Sequence, residues 1–185
     1  MKSRMSPREM TKIALCVALL CVASYLSFPI PFTPIVITGQ TLMVHLLGLV
    51  LAPVSALVAM VVYLLLGIVG LPVFAGGSAG IGALLGPTGG YILGFVAAAP
   101  MVSLCKGKKV NLFRYLFATV LVGTLVIDFL GSAFFCMQQQ ISLLEGFALT
   151  VVPFLPGDII KCVMASVVGV AVNRIPGFQA SPVSR

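Results

Sequence analysis

An aspartate and a lysine three residues apart, Asp158 and Lys161, open an apolar run in the segment Pro156-Gly-Asp-Ile-Ile-Lys161. On a helix that spacing sets them on neighbouring positions of one face, where carboxylate and ammonium can pair. The same two groups offer a polar ligand an acceptor and a donor, in charge-assisted bonds roughly twice as strong as neutral ones. A plain ion pair that orients the helix is the competing reading, since a buried pair is weak evidence of stabilisation. Their surroundings favour a site. Of 185 residues only eleven are basic and four acidic, 60% are hydrophobic, and the mean hydropathy is +1.19. An ionisable group kept in such company costs a few kcal/mol or more, which makes it a functional-site hypothesis by default.

The elements that must carry this pair follow from the same composition. So much apolar surface has no room to be buried in so short a chain, so a lipid bilayer must act as solvent, and apolar runs near span length indicate helices rather than a barrel. The expected architecture is an all-α integral membrane protein, one domain over residues 1–185. Its six spans are expected at about 9–28, 40–51, 54–70, 89–105, 112–137 and 157–174, with a short surface helix within about 139–150. The glycines and Pro87 between Gly76 and Gly90 forbid a simple span there.

Charge tests this count. Lys2, Arg4, Arg8 and Lys12 precede the first span, Lys106, Lys108, Lys109 and Arg114 surround the fourth connection, and Arg174 and Arg185 follow the last. With six spans, ten of the eleven basic residues fall on one side, which the positive-inside rule makes cytoplasmic together with both termini. Lys161 is the exception. The net charge of +7 therefore reads as topology, not as a nucleic-acid footprint. The opposite side collects the long Gly/Pro-rich connections 29–39, 71–88 and 138–156, and such loops commonly form lids or binding elements. A pocket on that face, beside Asp158 and Lys161, is expected.

Other chemistry is sparse. The five cysteines lack metal-binding or CxxC spacing and read as buried thiols, and no cofactor or metal is expected. No GxxxxGK[ST] loop occurs, so energy would come from a partner or a gradient. One histidine and four scattered acids make no catalytic cluster, so an enzyme is not expected. His45 reads as a packing histidine. Asp128 is expected to face the interior, bonded to Ser or Thr or protonated, with ligand contact as the alternative. Glu145 reads as a solvated loop charge. Gln40 could bond a ligand or the Pro-rich lid above it. Phe28, Phe32 and Phe74 flank the same mouth. Ala14 and Ala18 form a small-residue face on the first helix, suited to close approach of another helix or to packing in the bundle.

Four stretches in order, Pro29-Ile-Pro-Phe-Thr-Pro-Ile-Val-Ile-Thr-Gly-Gln-Thr41, Gly70-Leu-Pro-Val-Phe-Ala-Gly-Gly-Ser-Ala-Gly80, Leu85-Gly-Pro-Thr-Gly-Gly-Tyr-Ile-Leu-Gly-Phe95 and Pro156-Gly-Asp-Ile-Ile-Lys161, resemble the BioY family over about residues 10–175. These are the biotin-capturing S components of energy-coupling factor (ECF) transporters. The resemblance implies a six-helix S component of a bacterial cytoplasmic membrane that binds biotin from outside. It works with a membrane T component and two cytoplasmic ATPase subunits, or alone. It implies that Asp158 and Lys161 hold the ureido ring and that Ala14 and Ala18 receive the T component. For the valerate carboxylate, Gly76, Gly77 and Ser78 could offer backbone N–H groups and a hydroxyl, as anion-binding nests do, or could simply form a sharp turn that needs positive φ. Some relatives carry Asn and Arg where Gly77 and Tyr91 stand here, which leaves Tyr91 to stack or donate. An S component for another vitamin, or a structural membrane subunit without a ligand, is the alternative.

Overall fold

The computed structural model describes residues 5–29 and 35–175. Lys2, Arg4, Phe32, Arg185 and all but the first residue of the Pro-rich segment 29–34 lie outside them. Six helical columns are built from α1 (Pro7–Ser24), α2 (Gln40–Val50), α3 (Pro53–Ile68), α5 (Gly89–Cys105), the pair α6 (Leu112–Phe117) and α7 (Leu125–Gln139), and α9 (Leu155–Arg174). Two short helices, α4 (Ile81–Leu85) and α8 (Leu143–Thr150), sit in the connections. Proline in the first turn starts α1, α3 and α9, where its missing N–H costs nothing. Gln140, at φ 54°, ends α7 in a left-handed cap.

The first helix stops at Ser24, short of the 28 expected. The chain beyond it becomes a strand, β1 (Ser27–Pro29), antiparallel to β2 (Val36–Thr38), with Phe28 opposite Ile37. At its base the hairpin is closed by Gly39 N–H donating to the Leu26 carbonyl at 2.9 Å.

Inside and outside are distributed as lipid solvation demands. The faces buried between columns carry small residues, among them Ala56, Ala59, Ala98, Ala99 and Ala165, which let helices approach closely without a hydrophobic drive between them. The outward faces carry Leu15, Leu19, Val61, Leu65, Phe129 and Val167, all exposed. Among the described residues two helices, Leu112–Gln139 and Leu155–Arg174, are long and apolar enough by themselves to cross a bilayer. By contrast α2, with 11 residues, is only about 16 Å long and ends inside the bundle.

That early ending has a chemical consequence. The last carbonyls of a helix have no partner of their own, and here side chains supply them. The Lys106 ammonium donates to the carbonyls of Gly48 (3.2 Å), Leu49 (2.8 Å) and Leu51, Ser103 Oγ donates to Leu51 (2.6 Å) and Asn173 Nδ2 to Leu49 (2.9 Å). Lys106, counted above with the connection charges, is thus a buried cap with 8% of its surface exposed.

The α6–α7 column contains a π-helical stretch, Ala118–Thr124. Its buried polar stripe runs Tyr115, Thr119, Thr124, Asp128, Ser132. Every step is four residues except the one across the stretch, which is five. The wider turn keeps Asp128 on the same inward face as Thr119, and Thr124 Oγ1 donates to the Thr119 carbonyl at 3.1 Å to close it.

Candidate ligand pocket

At the end of the bundle away from Lys106, an open pocket lies between the hairpin, α2, α5, α7, α8 and α9. Asp158 and Lys161 line it, with Lys161 Nζ 3.0 Å from Asp158 Oδ1 and both side chains largely buried. Asp158 sits in the first turn of α9, where the helix dipole favours a carboxylate. Asp128 lines the same pocket and is 6% exposed. It is therefore a pocket residue rather than one bonded away in the bundle, as the stripe of polar residues four and five apart along its helix could have indicated.

The remaining walls are apolar or neutral. Tyr91 and Phe95 on α5, with Phe154 just before α9, supply aromatic surface, and Thr38, Thr88 and Thr150 supply hydroxyls. Tyr91 O–H donates to the Thr150 carbonyl at 3.3 Å. Its ring packs on Gly131, where any Cβ would collide with it. Gln40 also lines the pocket, but its Nε2 donates to the Tyr63 hydroxyl, which donates in turn to the Val73 carbonyl at 2.8 Å. The Gln40 amide is thereby tied to the loop after α3.

Gly76, Gly77 and Ser78 stand beside the lining, not in it; Ala75 is the residue of that turn which reaches the pocket. Gly76 and Gly77 adopt φ values of 64° and 77°, which only glycine takes without strain. The turn consumes its own donors: Gly77 N–H bonds the Phe74 carbonyl at 2.9 Å, Ser78 N–H and Oγ bond the Ala75 carbonyl at 3.3 and 2.9 Å. Of the three aromatic residues expected at the mouth, Phe74 is instead buried edge-to-face on Tyr63, with centroids 5.6 Å apart, and Phe28 is exposed. Phe95 and Phe154 take that place; neither drew attention in the sequence because aromatic residues in apolar runs are ordinary.

Beneath the pocket the interior stays polar for one more layer. His45 Nε2 lies 3.4 Å from Thr124 Oγ1, which lies 3.2 Å from Cys162 Sγ, and Thr119 Oγ1 lies 3.2 Å from Ser166 Oγ. His45 is fully buried against Gly123. Ala14 and Ala18 are both exposed on α1, so that face is not used for packing within the bundle.

The sequence model described as the BioY family matches residues 1–177. A protein of Pyrococcus horikoshii called "Probable biotin transporter BioY" is 39% identical over 164 residues, covering 89% of this chain and 95% of that one. "Biotin transporter BioY2" of Lactococcus lactis is 35% identical over 170 residues, with 90% of each chain covered. Among solved structures, the 2.1 Å crystal structure of the S-component for biotin from an ECF-type ABC transporter superposes with a TM-score of 0.86. It is 27% identical and covers 95% of this chain and 97% of that one.

Proposed function

The chain belongs to the BioY family, and from that premise we propose that it captures biotin for uptake across the cytoplasmic membrane as the substrate-specific subunit of an ECF-type transporter. The observation that carries this reading is the Asp158–Lys161 pair at the wall of the pocket. A ureido ring has two N–H donors and one carbonyl acceptor. Carboxylate and ammonium side by side match that pattern, and the apolar walls with Tyr91, Phe95 and Phe154 match a thioether ring and an alkyl chain. Asp128 adds a second acceptor within the same cavity. Release of water from such a site strengthens each charged contact.

The whole chain, residues 1–185, acts as a single S-component domain, with the pocket facing outward and the basic end with both termini facing the cytoplasm. The exposed Ala14 and Ala18 face then serves a membrane T component, itself driven by two cytoplasmic ATPase subunits. Small side chains there admit a partner backbone at close range. Ala14→Trp/Ala18→Trp should spare biotin binding and reduce ATP-driven uptake.

The direct test is equilibrium binding of biotin to the purified full chain in detergent, together with its thermal unfolding. Saturable one-to-one binding that raises the unfolding midpoint supports the reading. Stabilisation by another vitamin in place of biotin would reassign the ligand, and none by any would leave a bundle without one.

A further inference from the structure

The charges around the pocket are distributed unevenly. Between Lys12 and Lys106 the sequence contains no charged residue of either sign, and between Arg114 and Lys161 the only ones are Asp128, Glu145 and Asp158. No connection at the pocket end can therefore bring in an arginine or a second lysine, and this includes the Pro-rich segment, whose residues are all neutral. Within the lining the charges are Asp128, Asp158 and Lys161, and the one ammonium is already 3.0 Å from a carboxylate. Before any ligand enters, two carboxyl groups line this cavity against one ammonium, and that ammonium is already paired.

Biotin has two ends of different chemistry, a neutral ureido ring and an anionic carboxylate. Two carboxyl groups and one paired ammonium suit the first and offer the second no cation of its own. The turn at Ala75–Gly77, beside the lining, has spent its Gly77 and Ser78 donors on its own carbonyls. The hydroxyls of Thr38, Thr41, Thr88 and Thr150 are neutral, and bond an ester or amide carbonyl much as they bond a carboxylate. The starts of α2 and α5 also face the cavity through Gln40 and Thr88. The preference of a helix start for an anion is typically worth about fivefold, rising to about 30-fold where partly buried, and here the Asp128 and Asp158 carboxyl groups lining the same cavity oppose it.

We propose that this pocket reads the ureido ring and leaves the carboxyl end unread, so that its substrate class includes neutral, carboxyl-modified biotin: esters and, above all, biotin in amide linkage. Such amides are what breakdown of any biotin-acylated amine or protein would supply. The proposal rests on the biotin reading above and narrows it to one half of the ligand.

The test uses the purified full-length chain and four probes: biotin, biotin methyl ester, biotin amide-linked to lysine, and lipoic acid, a ring-bearing carboxylate that lacks the ureido group. The ester and the amide should bind within about tenfold of biotin, that is within the 1.4 kcal/mol of one decade, and lipoic acid should not compete. Lys161→Met should weaken acid and ester by the same factor, because Lys161 faces the part they share. Tight biotin binding with both derivatives more than tenfold weaker would overturn the proposal and leave the biotin reading standing. So would a Lys161→Met loss confined to the free acid, or competition by lipoic acid. Failure of biotin itself to bind a folded, monodisperse sample would sink the biotin reading and this proposal with it.

Discussion

Lys161 and Lys106 are both lysines withdrawn from water in a bundle with almost no other buried charge, yet their partners differ in kind. Lys161 meets a carboxylate, Asp158 Oδ1 at 3.0 Å, on the wall of an open pocket. Lys106 meets backbone, the carbonyls of Gly48, Leu49 and Leu51, where α2 ends before it has crossed the bundle. A helix C-terminus is a fixed set of acceptors with partial negative charge, and a cation there serves the fold. A carboxylate beside an ammonium could have been replaced by two apolar side chains without loss of stability. At a cavity, such a pair is what the proposed ligand would use. The difference teaches that a buried charge is better read from what it touches than from its burial.

The comparison breaks most visibly through ligand binding. We expect Asp158→Asn and Lys161→Ala each to weaken biotin binding by about 30-fold or more, since truncating one partner of a hydrogen-bonded charge pair costs about 2–5 kcal/mol. Thermal unfolding without ligand should fall as well, because either change leaves the other ion of a largely buried pair without its partner, so affinity is compared on the folded fraction. Isothermal titration on the purified variants gives the first quantity and a melting curve the second. Native affinity in both variants would leave the pair as an ornament of α9.

Lys106→Met should lower stability and spare binding. Removing the ammonium strands buried carbonyls at the end of α2, for about 1–3 kcal/mol each, so the variant should unfold earlier or insert less efficiently. The folded fraction should bind biotin within about threefold of the parent. If Lys106→Met instead abolished binding with normal stability, the contrast between the two lysines would collapse.

Much of this architecture was legible from composition and punctuation, and the exceptions share a cause. Pro7, Pro53 and Pro156 announce helix starts, and the basic residues sort the connections because only one of the eleven, Lys161, breaks the pattern. The pair Asp158 and Lys161 stood out against an apolar background. That same background hides everything else. Where nearly every position is hydrophobic, no face of a helix is distinguished, so the π-helical stretch at Ala118–Thr124 and the inward aim of Asp128 left only a faint trace in the spacing of Thr119, Thr124 and Asp128. Lys106 reads in sequence as one more connection charge because its acceptors are 55 to 58 residues away. Gln40 does line the pocket, but nothing local reveals that its Nε2 also donates to the Tyr63 hydroxyl. Long-range partners, not local propensity, decided these cases.

The two ends can also be told apart by their side of the membrane. With the endogenous cysteines replaced, Ser142→Cys at the pocket end should react with an impermeant thiol reagent added to intact cells, and Lys108→Cys at the basic end should react only after the membrane is opened. Both positions are exposed, so lack of reaction would report the membrane and not burial. Labelling of Lys108→Cys in intact cells would reverse the orientation, and with it the claim that the pocket captures from outside.

The smallest effect is expected at a neutral neighbour of the charged pair. Tyr91 lines the pocket, but its hydroxyl is committed to the Thr150 carbonyl at 3.3 Å and its ring is seated on Gly131. Tyr91→Phe keeps the ring, and with it the stacking surface offered to a ligand, and removes one long, weak hydrogen bond that ties α5 to the end of α8. A net loss at the low end of the usual range, about 0.5 kcal/mol, corresponds to a two- to threefold change in affinity. Tyr91→Ala, which removes the ring as well, should cost more in both stability and binding. A tenfold loss in Tyr91→Phe would show that the hydroxyl leaves Thr150 to donate to the ligand, and would add a neutral donor to the groups that select it. A change of threefold or less would assign Tyr91 to shape alone and concentrate polar selection on Asp128, Asp158 and Lys161.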